Sequence, residues 1–449
     1  MDHYAHLSWP VSPLKNDAEG LPGGTSLLTD HVSPVMALLA VPWWLWPHPE
    51  TLLVVQAVLL GLACVPVHRF AARRLGPGAA TGATLAFALC GSLQATGSFD
   101  VHEVAFAVPL AALAVERADA GRWRTATAAA LALLLVKEDL GLLVAAMGLL
   151  AAAVGRRRLG LLVAVAGVAG TALAIGVVMP AAGGSFRYWT YSGLGPDAPS
   201  AALHVLAHPI DTLHLAVTPL AKVGLLGWLF VSLSAFALAS PLVLLAIPLL
   251  AELLLSDRAA LWRTDTHYTA VLATVLTLAG CDGLARLLAR RQLTGPRRDR
   301  LARRVAYAGV LVAVAQGLTL GTRSLLAVAD PRSWSLDQHA AAGRAALAAV
   351  PPGVVAVTAT NRLVPHLLGH PGLRLLTAAP VRPGWLVVDD AEPDYPLSVR
   401  DVRGAADALT AAGWTTVFAR GGFRVLAAPG AARPSPTVTE QEFPAADPG

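Results

Sequence analysis

Three consecutive charged residues, Lys137, Glu138 and Asp139, lie in the middle of the apolar stretch ALALLLVKEDLGLLVAAM, residues 130–147. Ionisable side chains are costly inside a membrane and usually have a function there. A lysine in such a place can pair with a phosphate or a carboxylate, while a neighbouring acid orients a substrate. The structural alternative is a solvated hairpin turn with an internal ion pair, because exposed ion pairs are common.

Four more polar sets interrupt apolar surroundings. They are Asp30 with His31, Asp100 with His102 and Glu103, Arg187 with Tyr188, and Arg263 with His267 and Tyr268. Each set also has a structural explanation. Asp30 and Asp100 can be N-caps, with Glu103 completing a capping box, although this leaves His102 unexplained. The arginine and aromatic sets can be anchors at the membrane interface.

The elements that must position these residues are membrane helices. The chain is 55% hydrophobic and 14% charged, and its mean hydropathy is +0.57, values that indicate a polytopic membrane protein. The net charge of +5 does not indicate a nucleic-acid partner, because eight arginines lie in one short stretch, 286–304, between two apolar spans. Such a loop is typical of the cytoplasmic side. All three cysteines fall within apolar spans, so neither a disulfide nor a thiolate metal site is expected.

Apolar runs long enough to cross a bilayer are predicted at 50–67, 77–97, 101–115, 159–180, 223–239, 241–255, 268–288 and 305–320. Arginine clusters follow the first and third runs and precede the fourth and the last. If all four clusters are cytoplasmic, an even number of crossings must separate neighbouring clusters. Residues 125–155 then form a hairpin with arms of about 18 and 22 Å. Because these arms are shorter than the hydrocarbon core, about 30 Å thick, the Lys137–Asp139 triplet is expected below the outer surface, facing a cavity or other helices.

The same parity places all five polar sets and both chain ends on the outer side. Residues 1–48 are expected to form an outer loop with an interfacial or re-entrant helix around Trp43, Trp44 and Trp46. Residues 49–325 form the transmembrane domain, 331–428 an extracytoplasmic α/β domain with helices at DQHAAAGRAALAAV and DVRGAADALTAA, and 429–449 a disordered tail. Strands are predicted at VVAVTAT, GWLVVDD, TTVFAR and FRVLAAP. The predicted fold class is an α-helical polytopic membrane protein, with about ten membrane segments and a small C-terminal α/β domain.

Several motifs together resemble one family. The stretches LLTDHVSPVMALLAVPWW, FDVHEVAFAVPL, LLLVKEDLGLLVAAMGL, THYTAVL and VTATNRLVPHLLGHP look like the DUF2079-type bacterial membrane proteins, a domain of unknown function with many actinobacterial members. That family is similar in layout to glycosyltransferases of the C superfamily, which take a sugar from a polyprenyl-phosphate donor at the outer membrane face. The resemblance also implies an upstream helix before the YAHL region, so a later-than-natural start at Met1 is expected.

Such a reaction implies three requirements: a carboxylate that takes or orients the acceptor proton, cations that stabilise the departing lipid phosphate, and an apolar groove for the lipid. We predict Asp30 or Glu103 as the base. The predicted substrate-binding residues are His31, Asp100, His102, Lys137, Glu138, Asp139, Arg187, Arg263, His267 and Tyr268. Lys137, Arg187 and Arg263 would supply the cations. No resident cofactor and no metal ligand are predicted; Asp, His and Glu can hold a divalent cation, but no spacing here is diagnostic of one.

Three functions remain open. The first is a glycosyltransferase in the plasma membrane of a bacterium, with a polyprenyl-phosphate sugar, a cell-envelope acceptor and the lipid bilayer as partners. The second is a transporter or flippase of a lipid-linked cell-envelope precursor, which would use the same cavity without chemistry. Paired broken helices in both halves would favour it. The third is a scaffold whose outer domain binds other proteins.

Overall fold

The computed structural model describes residues 2–20, 24–321, 324–394 and 397–431. It divides into two compact units. The helical unit consists of Met1–Val11 and Ser26–Trp334, and the C-terminal unit of Ser12–Thr25 and Ser335–Gly449.

The secondary structure is dominated by helices. The α-helices are α1 Asp2–Ala5, α2 Pro13–Glu19, α3 Ala40–Leu45, α4 Pro49–Leu62, α5 Cys64–Leu75, α6 Pro77–Ala88, α7 Gly91–Gly97, α8 Val104–Asp119, α9 Trp123–Ala132, α10 Leu140–Ala153, α11 Arg157–Leu173, α12 Met179–Ala181, α13 Ala198–Ala207, α14 Pro209–Val217, α15 Leu220–Phe230, α16 Ala246–Leu255, α17 Ala270–Arg290, α18 Gly295–Leu318, α19 Gln338–Ala348 and α20 Val399–Ala411. A π-helical turn, Ala174–Val178, joins α11 to α12. Short 3₁₀ helices are Leu27–Thr29, Pro34–Leu39, Leu133–Leu135, Leu233–Ala239, Pro241–Leu245, Ala259–Trp262, His267–Thr269, Leu325–Ala329, Pro331–Trp334 and Val364–Leu367.

The helical unit has a multi-span membrane architecture, which confirms the predicted class. Within the described residues, four helical segments are long and apolar enough to cross a membrane: Pro49–Leu75, Arg157–Ala181, His267–Arg290 and Gly295–Leu318. Two bent helix pairs, Pro209–Val217 with Leu220–Phe230 and Leu233–Ala239 with Pro241–Leu255, would raise the number to six if each is one span. Shorter apolar helices include Trp123–Leu135 and Leu140–Ala153, which correspond to the two arms of the predicted hairpin.

Glycines allow α10 to approach α11 very closely. A Cβ atom on Gly148 would lie 2.4 Å from the Ala164 amide nitrogen and 2.6 Å from the Gly160 carbonyl oxygen. On α10, Gly141 is equally close to Gly167, at 2.4 Å from its carbonyl oxygen. Two glycines spaced by seven residues on each helix therefore form one contact line, as is common where membrane helices pack through small residues. This contact fixes the start of α10, and with it the Lys137–Asp139 triplet.

The C-terminal unit contains a five-stranded mixed sheet of order β2-β1-β3-β5-β4. Its strands are β1 Ala356–Ala359, β2 Gly372–Leu375, β3 Trp385–Asp389, β4 Thr415–Arg420 and β5 Phe423–Ala427. Strand β1 runs parallel to β2 and β3, whereas β5 is antiparallel to β3 and β4. Every residue of β3 is buried, as expected for a central strand covered on both faces. The predicted helices and four of the strands are confirmed; β2 was not predicted.

An N-terminal segment also belongs to the C-terminal unit, which the sequence did not indicate. Helix α2 begins after Ser12, whose hydroxyl accepts a hydrogen bond from the Lys15 amide. Asp17 of this helix forms an ion pair with Arg374 of β2. Most of the predicted disordered tail, residues 432–449, lies outside the described residues.

The glycine contact gives a direct prediction. Replacing Gly148 by alanine should destabilise the helical unit by about 1–3 kcal/mol, since overpacking forces the two backbones apart. Gly176 is the matched control: it lies in the same helical segment as α11, and a Cβ atom there meets nothing within 4 Å. Unfolding of the full chain in mixed micelles gives the free energy of unfolding of each variant. An equal effect of Gly148→Ala and Gly176→Ala would contradict the close packing.

Candidate functional site

Several helix ends of the helical unit bring polar side chains together. Glu103 directly precedes α8, and His267 directly precedes α17 in the segment His267–Thr269. Lys137, Glu138 and Asp139 occupy the break between Leu133–Leu135 and α10. These breaks leave backbone groups and charged side chains at the ends of otherwise apolar helices, where membrane proteins tolerate them when they are buried in protein or line a cavity.

Glu138 is the most deeply buried residue of the Lys137–Asp139 triplet, with its side chain only 2% exposed. One carboxylate oxygen, Oε1, lies 2.7 Å from Nδ1 of His31. The other, Oε2, accepts a hydrogen bond of 3.0 Å from the Val32 amide. The backbone carbonyl oxygen of Glu138 accepts a further hydrogen bond, of 2.6 Å, from the Thr171 hydroxyl on α11. Glu138 thus connects the hairpin, the N-terminal loop and α11, and the triplet is not a solvated turn.

Asp30 lies next to this network and accepts a hydrogen bond from the Tyr188 hydroxyl. The Tyr188 ring stacks on the His31 ring with centroids 4.9 Å apart. The guanidinium of Arg258 lies over the Tyr188 ring, 5.8 Å from its centroid. Asp30 follows the 3₁₀ segment Leu27–Thr29, and the next helix begins after Ser33. The N-cap interpretation of Asp30 is therefore wrong.

Lys137 and Asp139 form an ion pair inside the triplet. The Lys137 ammonium is 2.7 Å from Oδ2 of Asp139, and the lysine side chain is only 12% exposed. The Asp139 carboxyl also lies against the carboxyl of Glu252 on α16. Two adjacent carboxyls repel each other when both are ionised, and the Lys137 ammonium beside Asp139 offsets such repulsion. The Tyr191 hydroxyl donates a hydrogen bond of 3.3 Å to the backbone carbonyl oxygen of Glu252.

Glu252 is a site candidate that the sequence analysis missed. The signal was present, because Glu252 is the only charged residue in the apolar run 241–255, and an ionisable residue inside a span indicates function by default. Arg258 was missed for a different reason. It lies three residues after the end of α16 and reads as an ordinary interfacial arginine, and only the folded chain brings it over Tyr188.

His102 and His267 form a second part of the candidate site, which consists mainly of aromatic rings. Their rings stack with centroids 3.7 Å apart, and Phe99 contacts both. His267 also contacts the ring of Tyr268 at 4.3 Å. The His102 amide donates to Oε1 of Gln56 at 3.1 Å, which attaches this turn to α4. Glu103 is buried nearby, and its charge acts on both His31 and Lys137.

Three predicted residues are exposed, and the carbonyl oxygen of one of them, Asp100, lies 2.8 Å from Nδ1 of His102. Arg263 is 60% exposed and forms a bidentate ion pair with Asp265. Arg187 and Asp100 are exposed. The capping-box interpretation of Asp100 and Glu103 is wrong, because Glu103 itself occupies the N-cap position of α8 and no side-chain cap is formed there.

The electrostatics of the site favour a charged His31. Burial alone would lower the pKa of this imidazole, but the hydrogen bond to Glu138 and the charges of Glu138 and Glu103 outweigh burial and Lys137, so the pKa is raised above its usual value. No group of three or more His, Cys, Asp or Glu residues is arranged to hold a metal ion in the part of the chain that the structure describes. Lys137 and Arg258 are two cationic side chains that lie at this site.

Comparisons with known proteins identify a family and a fold. The family described as "Predicted membrane protein (DUF2079)" matches residues 4–398. The fold is similar to the crystal structure of ArnT from Cupriavidus metallidurans in the apo state, with a TM-score of 0.51 and 14% sequence identity over 95% of this chain and 91% of that chain. No curated protein matches the sequence. The predicted family is confirmed, and the predicted multi-span helical fold with a small C-terminal domain is similar to the fold of ArnT.

The His31–Glu138 pair predicts a pH-dependent stability. Because the pKa of His31 is raised on folding, the pair contributes fully below the unfolded pKa of about 6.5, and its contribution is lost as pH rises through the folded value. The loss of melting temperature in Glu138→Gln should thus be larger at pH 5.5 than at pH 8.5. The control is Glu50→Gln, since Glu50 and His48 form an exposed pair at 3.9 Å. Equal losses at both pH values in Glu138→Gln would contradict this electrostatic role.

Proposed function

We propose that this chain, which belongs to the DUF2079 family of predicted membrane proteins, is a membrane glycosyltransferase that takes a sugar from a polyprenyl-phosphate donor. The observation that carries the proposal is the network of Asp30, His31 and Tyr188 around the buried Glu138 carboxylate, beside the Lys137–Asp139 pair. It supports the proposal because buried charges in a membrane domain are expensive to maintain without a function. The ArnT-like fold supports it independently.

The proposed reaction exchanges one bond to the sugar for another. The bond between the anomeric carbon and a phosphate oxygen breaks, and polyprenyl phosphate leaves with the bonding electrons. A new bond forms between that carbon and the acceptor oxygen, whose proton goes to a carboxylate. Asp30 is our first candidate for this base, because it is held by Tyr188 and stays partly accessible. Glu103 is the second, although its burial makes acceptor access harder.

Charge stabilisation at the leaving phosphate would come from Lys137 and Arg258. Lys137 is already oriented by Asp139, and a preorganised cation in a site with little water stabilises developing negative charge strongly. Arg258 is exposed, and its guanidinium lies 5.8 Å from the centroid of the Tyr188 ring. Arg187 and Arg263, proposed from the sequence, would act only at the entrance because both are exposed. The stacked rings of His102 and His267, with Phe99 and Tyr268 tilted against them, would offer aromatic contacts of the kind that bind the apolar face of a sugar.

The membrane orientation is part of the proposal. The arginine clusters lie at the ends of α5 and α8 and at the start of α18, whereas Glu103 and His267 lie at the opposite ends of α8 and α17. The positive-inside rule then puts the arginines in the cytoplasm and the candidate site on the outer face of a bacterial plasma membrane. Because the chain leaves α18 at the end without arginines, the C-terminal unit would be extracytoplasmic. A cell-envelope molecule would be the acceptor.

A flippase for a lipid-linked precursor is the second candidate. The two bent helix pairs, with angles of 78° and 100°, favour it because transporters use broken helices at their binding sites. However, both pairs are adjacent in the chain at 209–255 rather than in corresponding positions of two repeats. The bends therefore support a flippase less strongly than the buried acid and base pairs support a transferase.

Label transfer separates the two functions. The full chain in membranes, given radiolabelled polyprenyl-phosphate sugars, should transfer label to an acceptor. Asp30→Asn should reduce transfer by about 10²–10⁴-fold, the usual contribution of general acid–base catalysis. Lys137→Ala should reduce it as well, by weakening phosphate stabilisation.

The matched control is Asp299→Asn, because Asp299 is an exposed aspartate in the arginine-rich region. It should leave transfer unchanged. Donor movement across the membrane without any label transfer, retained in Asp30→Asn, would contradict the transferase and support the flippase.

A further inference from the structure

A cavity of about 310 Å³ lies inside the helical unit, away from the candidate site. It is lined by residues of α5, α8, α9, α10, α11 and α17. Asp119 lines it 16 positions after Glu103 on α8, and Asp282 lines it 15 positions after His267 on α17. At 1.5 Å per residue, each helix separates the cavity from the candidate site by about 22–24 Å. The cavity therefore lies at the arginine-bearing end.

The polar side of the cavity presents guanidinium groups. Asp282 is only 1% exposed, and its Oδ2 accepts hydrogen bonds of 2.6 Å from Arg286 and from the Ser240 hydroxyl. Arg74 pairs with Asp119 and lies 3.2 Å from Oδ1 of Asp282. In contrast to the carboxylates, Arg286 is 45% exposed and Arg74 is 37% exposed. The acids are buried and hold the guanidiniums, so a ligand at this place meets mainly N–H donors.

The rest of the cavity wall is largely apolar and reaches the surface of the helical unit. Met147, Leu150 and Leu245 are among its lining residues, and Val154 lines it while being 61% exposed. Trp123 also lines it, with the Arg156 guanidinium 5.4 Å above its ring. Tryptophan and arginine together are typical of the level of the lipid headgroups. An apolar space that opens towards lipid below a cationic rim matches a lipid with an anionic headgroup better than it matches a soluble anion.

We propose that this cavity binds an anionic glycerophospholipid of the surrounding bilayer, with its phosphate on Arg74 and Arg286 and part of one acyl chain between α9, α10 and α11. Basic pockets between membrane helices on the cytoplasmic side are known to hold anionic headgroups. The site is separate from the proposed transferase site and does not depend on that function. The bound lipid would bridge α5, α10 and α17, and so would stabilise the contact of the hairpin with the rest of the helical unit.

The test is a lipid titration of the purified full chain by native mass spectrometry, with phosphatidylglycerol and phosphatidylcholine as probes. Phosphatidylglycerol should bind more tightly. Arg286→Gln should weaken it about fivefold, the effect of one cation near an anionic lipid. Asp282 keeps its bond to Ser240 in this variant. The matched control is Arg290→Gln, because Arg290 is exposed one turn later on α17 and does not line the cavity. Equal affinity of the two lipids, or equal effects of the two variants, would overturn the proposal.

A second pair of variants tests the apolar part. Ala151 lines the cavity, whereas Ala153 on the same helix is exposed and does not. Ala151→Phe should fill the space and abolish the preference for phosphatidylglycerol, while Ala153→Phe should retain it. Polyprenyl phosphate is added as a competitor to identify the source of the phosphate. If it displaces phosphatidylglycerol from the wild type at equimolar concentration, the cavity is a polyprenyl site and the phospholipid proposal is wrong.

Discussion

The buried carboxylate of Glu138 is the constraint on which this end of the helical unit depends. A charge that is nearly excluded from water is tolerated only when it is paired and hydrogen-bonded. The fold meets this requirement with the His31 imidazole and the Val32 amide, both from the N-terminal loop. The loop is thereby held beside the hairpin, and Asp30, the preceding residue, is placed where Tyr188 can reach it. One electrostatic requirement thus assembles residues that are more than 100 positions apart.

The position of Glu138 depends in turn on helix packing. The glycine line between α10 and α11 lets the two backbones touch, and Thr171 of α11 donates to the Glu138 carbonyl one turn beyond that line. In a membrane, helices associate through close packing and hydrogen bonds, because there is no hydrophobic force between them. Small residues far from any charge are therefore part of the reason why the charged triplet has a defined place.

Much of this organisation could be predicted from the sequence. Hydropathy and the placement of arginines predicted the multi-span class and a short-armed hairpin at 125–155. Both signals are local in the chain, because the bilayer requires apolar runs of a certain length and favours arginines in the cytoplasmic loops beside them. The strands of the C-terminal unit were predicted from their alternation and turn residues, but β2 is only four residues long, GLRL, and has no clear pattern. The inclusion of Ser12–Thr25 in that unit rests on long-range contacts, among them the packing of Leu14 on its core and the Asp17–Arg374 pair, which joins residues 357 positions apart. Arg258 and the ion pair of Arg263 with Asp265 likewise depend on long-range packing and local rotamers that composition does not encode.

The two ends of the helical unit differ in how they use charge. At one end, acids and an ammonium are buried together around His31 and Glu138; at the other, buried acids hold arginines that stay accessible. The measurement that tests the central claim most directly is a cryo-EM structure of the full chain with a non-hydrolysable polyprenyl-phosphate sugar analogue. The account predicts phosphate density in contact with Lys137 or Arg258 and the sugar within reach of Asp30. A donor phosphate bound only at Arg74 and Arg286, with the Asp30 end unchanged, would contradict it.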